Sequence, residues 1–164
     1  MKLHITIFLA LSCLITYAQD YQKEINEQVW KPFIEGFRSG DTDMFMNVHS
    51  KELVRSPRDA KKIETWDQYY EGTKRGNERR KTSGHKSDIE LRFTERIATV
   101  SQAIDVGIYK TTNIAGDGQQ RSFYGRFHVV LRKESGVWKI LVDTDSSEGG
   151  MIGEKDFLAA KPME

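Results

Sequence analysis

His128 and Asp143 are the pair in this sequence whose side chains, if adjacent, would suit acid–base chemistry. A carboxylate beside an imidazole fixes its tautomer and raises its basicity, which is what proton transfer requires of a base. Register is what would bring them together. If Ser135-Gly136 is a two-residue hairpin loop, Glu134 faces Val137, and counting down the ladder sets His128 against Asp143 and Arg126 against Asp145. The same count places Leu131 opposite Ile140, Val129 opposite Val142 and Phe127 opposite Thr144, all on one apolar face. Closing the preceding hairpin symmetrically around Asn113 to Gly118 adds Ile104, Gln102 and Val100 to that face and Asp105 to the charged one. Helices with apolar stripes must cover the apolar face, so the charged ladder belongs on the outer side. His128 with Asp143 then also reads as an exposed or interface ion pair, and Asp105, Arg126 and Asp145 as a structural triplet. A single bulge would reverse this parity locally.

On the covered side the candidate ligand-binding residues are Gln102, Phe127 and Thr144 from the sheet, Trp66, Tyr69 and Tyr70 from a helix, and His49 and Arg55 near the first strand. An apolar cavity with a few polar groups suits a small organic molecule, although each aromatic has core packing as its plainer role. Metal binding has no pattern behind it: His49, His85 and His128 are far apart and no histidine or cysteine cluster is present. Gly116-Asp117-Gly118 precedes no helix, so it does not cradle phosphate. No serine follows a strand and opens a helix as a nucleophile elbow does. No cofactor is implied.

The elements that must position these residues fall into two regimes. From Tyr21 to Arg38, Ile25, Val29, Phe33, Ile34 and Phe37 recur at spacings of three and four, the mark of a helix with one buried stripe, and Pro32 predicts a kink or a later start. Ser39-Gly40 ends it, Asp41 or Thr42 caps a short second helix, and Thr65 caps a third carrying Trp66, Tyr69 and Tyr70. Between them Leu53-Val54-Arg55 is a short strand closed by Pro57. Lys74 to Lys81 is basic but interrupted, and reads as a solvated helix end. After Gly84 the period becomes two: strands are expected over Asp88 to Phe93, Ile97 to Thr112, Gln119 to Glu134 and Val137 to Ser146. A short helical pattern from Glu154 to Ala160 would fold back over a sheet edge.

Met1 to Ala18 has the form of a secretory signal, with Lys2 as its basic start, Ile5 to Ile15 apolar, and Ala18 as the small residue at the cut. The run is shorter than the roughly 20 residues that cross a bilayer, so no membrane span is expected. Cys13, the only cysteine, lies within it, and a lipoprotein box there is the alternative to cleavage. Without Lys2 the 25 basic residues become 24, against 24 acidic ones, and no bulk field draws the chain to nucleic acid. Residues 19–164 are the length of one domain, with its core at 25–147 and a tail at 148–164.

The order helix, helix, short strand, helix, meander, together with Ser39-Gly40-Asp41 leading to His49-Ser50 and the Arg132-Lys133-Glu134-Ser135-Gly136-Val137-Trp138-Lys139-Ile140 hairpin, resembles the nuclear transport factor 2-like (NTF2-like) superfamily, in its SnoaL-like and DUF4440 branches. The resemblance implies an α+β cone, N-terminal helices on a curved, mostly antiparallel sheet around a pocket, with homodimers common. Members span isomerases, dehydratases, binding proteins and assembly modules, so fold alone decides no function. Related sequences often carry histidines on the last strand where this chain has Val142 and Thr144. The expectation is an exported, periplasmic or secreted protein binding a small hydrophobic or amphipathic molecule; the alternatives are a cofactor-free lyase or isomerase using proton transfer, and a dimerisation module.

Overall fold

In a computed structural model, residues 20–163 are described; the signal segment and Cys13 lie outside them. The chain opens in helix from residue 20, passes through a π-helical turn at Asn26–Trp30 and continues as α1, Lys31–Ser39. Pro32 explains the π turn: it lacks an N–H, and its ring crowds the carbonyl four residues back, so the ladder widens and Lys31 N–H reaches Asn26 O instead. Gly40, left-handed at φ 70°, stops α1. Asp41 caps α2 (Thr42–Asn47) by accepting from Met44 N at 2.9 Å. Thr65 caps α3 (Trp66–Ser83) in a capping box with Gln68. The helix runs through Gly72 and Gly76 to end at left-handed Gly84.

Six strands follow the order β1-β5-β4-β3-β2-β6, with β1 (His49–Pro57) parallel to β5 (Val137–Ser146) and the rest antiparallel. The intervening strands are β2 (Lys86–Ala98), β3 (Gln102–Ile114) and β4 (Gln120–Glu134). Val129, Leu131, Trp138 and Ile140 are buried under the helices, as alternation predicts, together with Trp30 and Leu53. Side chains of this size each contribute about 1.5–3 kcal/mol by leaving water. Glu24 ties the leading helix to the β4–β5 hairpin, accepting from Trp138 Nε1 at 3.0 Å and Lys133 Nζ at 2.6 Å. The tail helix α4 (Glu154–Ala159) lays Phe157 against Ile108 on the outer face, and β6 (Lys161–Pro162) pairs with the β2 edge.

The register departs from the sequence reading in three places. Ile97 to Thr112 is not one strand: Thr99 to Ser101 forms a turn held by Thr99 Oγ1 and N on Gln102 O, at 2.9 and 2.8 Å, without the glycine or proline that marks most turns. The next hairpin pairs Ile114 with Gln120 around a five-residue loop, not symmetrically about Asn113 to Gly118, so Asp105 faces Val129 on the inner side while Gln102 and Ile104 turn outward. The two-residue Ser135-Gly136 loop forms as expected, with φ 48° and 86°, and Leu131 does oppose Ile140. But Val130 then opposes Val142, leaving Leu141 as a bulge. From there the parity of β5 reverses: Asp143 and Asp145 turn in and Val142 and Thr144 turn out, while His128 on β4 stays on the outer face as expected.

Candidate functional site

The covered face encloses a cavity of about 230 Å³. Trp30, Phe33 and Phe37 reach it from one side of the leading helix, at the three- and four-residue spacing that aligns side chains. Phe45 of α2 and Tyr69 of α3 close it laterally. The sheet adds Ile89 and Leu91 of β2, Tyr109 and Thr111 of β3, Phe127 and Val129 of β4 and Ile140 of β5. Two glycines make room for rings on this floor. Gly107 lies opposite Phe127 and Gly125 opposite Tyr109; a Cβ on either would sit 2.5 Å from the Cζ of the facing ring.

At one end the cavity turns polar. Parallel pairing of β1 with β5 sets Arg55 beside Asp143. Its Nη1 donates to Asp143 O at 3.3 Å, its Nη2 bonds the Asp145 carboxylate, and its Nε lies 3.4 Å from Asp143 Oδ2. Burial pushes both aspartates above the usual carboxylate range, with Arg55 opposing the shift in each. The Arg55 guanidinium lies 5.2 Å from the Tyr69 ring centroid. Burial likewise raises the Tyr69 hydroxyl and pushes Tyr109 up to about 12, so both phenols stay neutral donors at ordinary pH. His49 sits behind Asp143, its Nδ1 3.1 Å from Phe45 O and its Nε2 3.9 Å from Asp143 Oδ2. Burial, then the Arg55 charge, hold its pKa down to about 3.

A second buried charge cluster stabilises the scaffold. Asp105, 1% exposed, takes a bidentate pair from Arg96, 3.0 Å at each oxygen, and a 2.7 Å bond from Trp30 Nε1. This bond fixes the indole that lines the cavity. Among the described residues no group of three or more His, Cys, Asp or Glu could hold a metal ion, and no helix is long and apolar enough to cross a membrane.

Of the residues singled out from sequence, Arg55, Tyr69, Phe127 and Asp143 meet at this cavity, with His49 just behind it. His128 does not: it is exposed on the outer face opposite Thr144, so the supposed His128–Asp143 pair is not formed. The Leu141 bulge is the reason. Thr144 follows His128 outward, bonding its carbonyl at 3.3 Å, and Gln102 is exposed on the outer side because the β3–β4 loop is five residues, shifted from the expected turn, which changes the register by an odd number. Trp66 and Tyr70, one helical turn apart, stack on each other at 5.1 Å in a separate surface groove, where Lys51 Nζ lies over the Trp66 ring. Tyr69 points elsewhere because one residue rotates a helix by about 100°. The expected Asp105–Arg126–Asp145 triplet is dispersed: these pair with Arg96, Glu148 and Arg55 respectively. Asp145, Tyr109 and Trp30 were not among the expected site residues. No local signal marks Asp145 as inward, but the Trp30-x-x-Phe33 spacing marks an inward stripe.

The sequence matches no protein-family profile and no curated protein. Its fold is similar to an NTF2-like protein with a cystatin-like fold from Novosphingobium aromaticivorans, at a TM-score of 0.65 and 11% identity over 84% of this chain and 86% of that one. It is similar to an NTF2-like protein of unknown function from Shewanella oneidensis, at 0.61 and 21% identity over 76% and 97%. It is also similar to Aln2 from a Streptomyces species, at 0.64 and 10% identity over 75% and 88%. Helices on a curved, mostly antiparallel sheet are what these proteins share with it, and at such identities the shared feature is the fold.

Proposed function

We propose that this chain, built on the NTF2-like fold, holds a small, mostly apolar organic molecule in the cavity beneath its helices. The observation that carries this reading is the cavity itself, an aromatic chamber of about 230 Å³ whose one polar end is the Arg55, Asp143 and Asp145 cluster. Apolar walls supply affinity and a few convergent polar groups fix orientation. The volume falls below the roughly 300–1,000 Å³ of drug-sized sites, so the ligand is correspondingly small. Met1 to Ala18 acts as a secretory leader in this reading, with one domain following, and the ligand is met outside the cytoplasm. Thermal-shift screening of small metabolites tests it. Stabilisation by a ligand should vanish in Leu91→Trp, which fills the chamber; ligands that stabilise both proteins equally would place binding elsewhere.

A second reading, proton-transfer catalysis, draws on one observation: the two carboxyls inside the chamber are raised by burial, beside neutral tyrosine hydroxyls. A carboxylate so tuned is a stronger base, and a phenol can stabilise a developing oxyanion. Asp143 or Asp145, not His128, takes the base's role. Deuterium exchange at carbons beside a carbonyl, lost in Asp145→Asn, is the signature sought.

Self-association of two copies through the outer face completes the proposal. Val54, Val142, Val130, Ile104 and Ile97 form one unbroken cross-strand row over five strands, and Val54, Ile104 and Ile97 are 44%, 43% and 52% exposed. A contiguous apolar stripe of this kind marks an interaction surface.

A further inference from the structure

We infer that the molecule held in the chamber is a small organic cation, an amine or quaternary ammonium with an apolar body. This deepens the small-molecule reading above and rests on it. Arg55 is the only cation of the polar end among the described lining residues, and it is already held between the two aspartates: Nη1 donates to Asp143 O at 3.3 Å, Nη2 bonds the Asp145 carboxylate, and Nε lies 3.4 Å from Asp143 Oδ2 as an ion pair. An anionic ligand drawn to the guanidinium would lie beside both carboxylates, which repel it. His49 adds no charge, because its ring is buried beside the Arg55 guanidinium, with Nδ1 3.1 Å from Phe45 O and no hydrogen-bond partner at Nε2 to support a second proton. Lys139 is directed away, its Nζ on Asn47 O.

One guanidinium against two carboxylates leaves a single negative charge at the polar end. The carboxylates keep acceptor capacity: each can receive about four hydrogen bonds, and among the described residues Asp145 receives one, from Arg55. Asp59, close by, is also anionic and is turned to Ser146 Oγ and Ser147 N, at 2.6 and 2.7 Å. The walls agree with the pole. Trp30, Phe33, Phe45, Tyr69, Tyr109 and Phe127 surround the space with rings, whose π faces attract a cation and solvate no anion. A monocation with an apolar body neutralises the pole, uses its unfilled acceptors and packs against the aromatic lining.

Isothermal titration calorimetry with two matched trios decides it: phenethylamine, 2-phenylethanol and phenylacetate, then butylamine, butanol and butyrate. The amine of a trio should bind at least about tenfold more tightly than its alcohol, with no carboxylate binding, and Asp145→Asn, which leaves the pole neutral, should reduce that preference to about twofold or less. Asp143→Asn repeats the test should Asp145→Asn not fold. An alcohol or carboxylate that binds wild type as tightly as the amine overturns the cation while leaving the chamber as a ligand site. Amine binding that survives Leu91→Trp places it outside the chamber and overturns the inference as well. If none of the six binds wild type, the chamber reading falls and the inference with it.

Discussion

Nε2 of His49 stands 3.9 Å from Oδ2 of Asp143, and the imidazole facing that carboxyl is neutral. Phe45 O can only accept, so the proton sits on Nδ1 and the bare nitrogen is presented to the acid. A charged imidazole here would face Arg55 in a site closed to water, which is why burial and the guanidinium both depress it. The imidazole thus adds no positive charge beside Asp143.

Stability should therefore fall with acid in a way traceable to His49. The unfolded histidine titrates near 6.5 and the folded one at about 3, so the unfolded chain binds more protons between those values and stability is lost as pH falls through that window. Asp143 and Asp145, raised when folded, work in the opposite direction, favouring the native state as they take up protons. Comparing wild type with His49→Asn, whose amide can still donate to Phe45 O, isolates the histidine. Between pH 7 and 5 wild type should lose about 2 kcal/mol more than the variant in urea unfolding. Equal losses would refute the neutral buried imidazole.

Asp105 should be costly to remove. Asp105→Ala leaves Arg96, 13% exposed at its side chain, without a counter-charge and Trp30 Nε1 without an acceptor, and is expected to cost about 3–5 kcal/mol. Trp30→Phe removes one donor to a charge and part of a buried ring, about 2–4 kcal/mol. Arg96→Met added to Asp105→Ala should recover a large part of the loss, as read from a double-mutant cycle. Asp105→Ala melting with wild type would show that the cluster contributes no stability.

Gly107→Ala should destabilise by about 2 kcal/mol or more, because its methyl meets both Arg92 O and the Phe127 ring, and the backbone oxygen cannot swing aside. Phe127→Leu in the same chain should restore little. Gly116→Ala, in open space in the β3–β4 loop, serves as the control and should stay within about 0.5 kcal/mol of wild type.

The outer row predicts a dimer in sedimentation equilibrium. Val130→Arg places a charge at the middle of that row while leaving the chamber untouched, so it should yield a folded monomer with an unchanged circular dichroism spectrum. A monomeric wild type, or a variant that dimerises equally well, would remove the self-association proposal.

What was legible in the sequence was whatever depends on near neighbours. Three- and four-residue spacing marked the helix stripe from Ile25 to Phe37, Gly40, Asp41 and Thr65 marked helix ends, and Ser135-Gly136 set the first rungs of the last hairpin, so Val129, Leu131, Trp138 and Ile140 were correctly placed inside. Each of these follows from backbone preferences within a few residues. The site was decided elsewhere. Whether Asp143 and Asp145 face the helices or the solvent depends on one bulged residue, Leu141, and Asp105 follows a five-residue loop read as a symmetric turn. A bulge carries no local mark, since side chains alternate equally well on either side of it. The inward register is held by partners remote in the chain, Arg55 on the parallel β1 strand and Trp30 on the leading helix. Sequence by itself determined which residues could form a greasy interior; only tertiary pairing decided which charges were enclosed within it, because parity along a strand is set by the neighbour it pairs with.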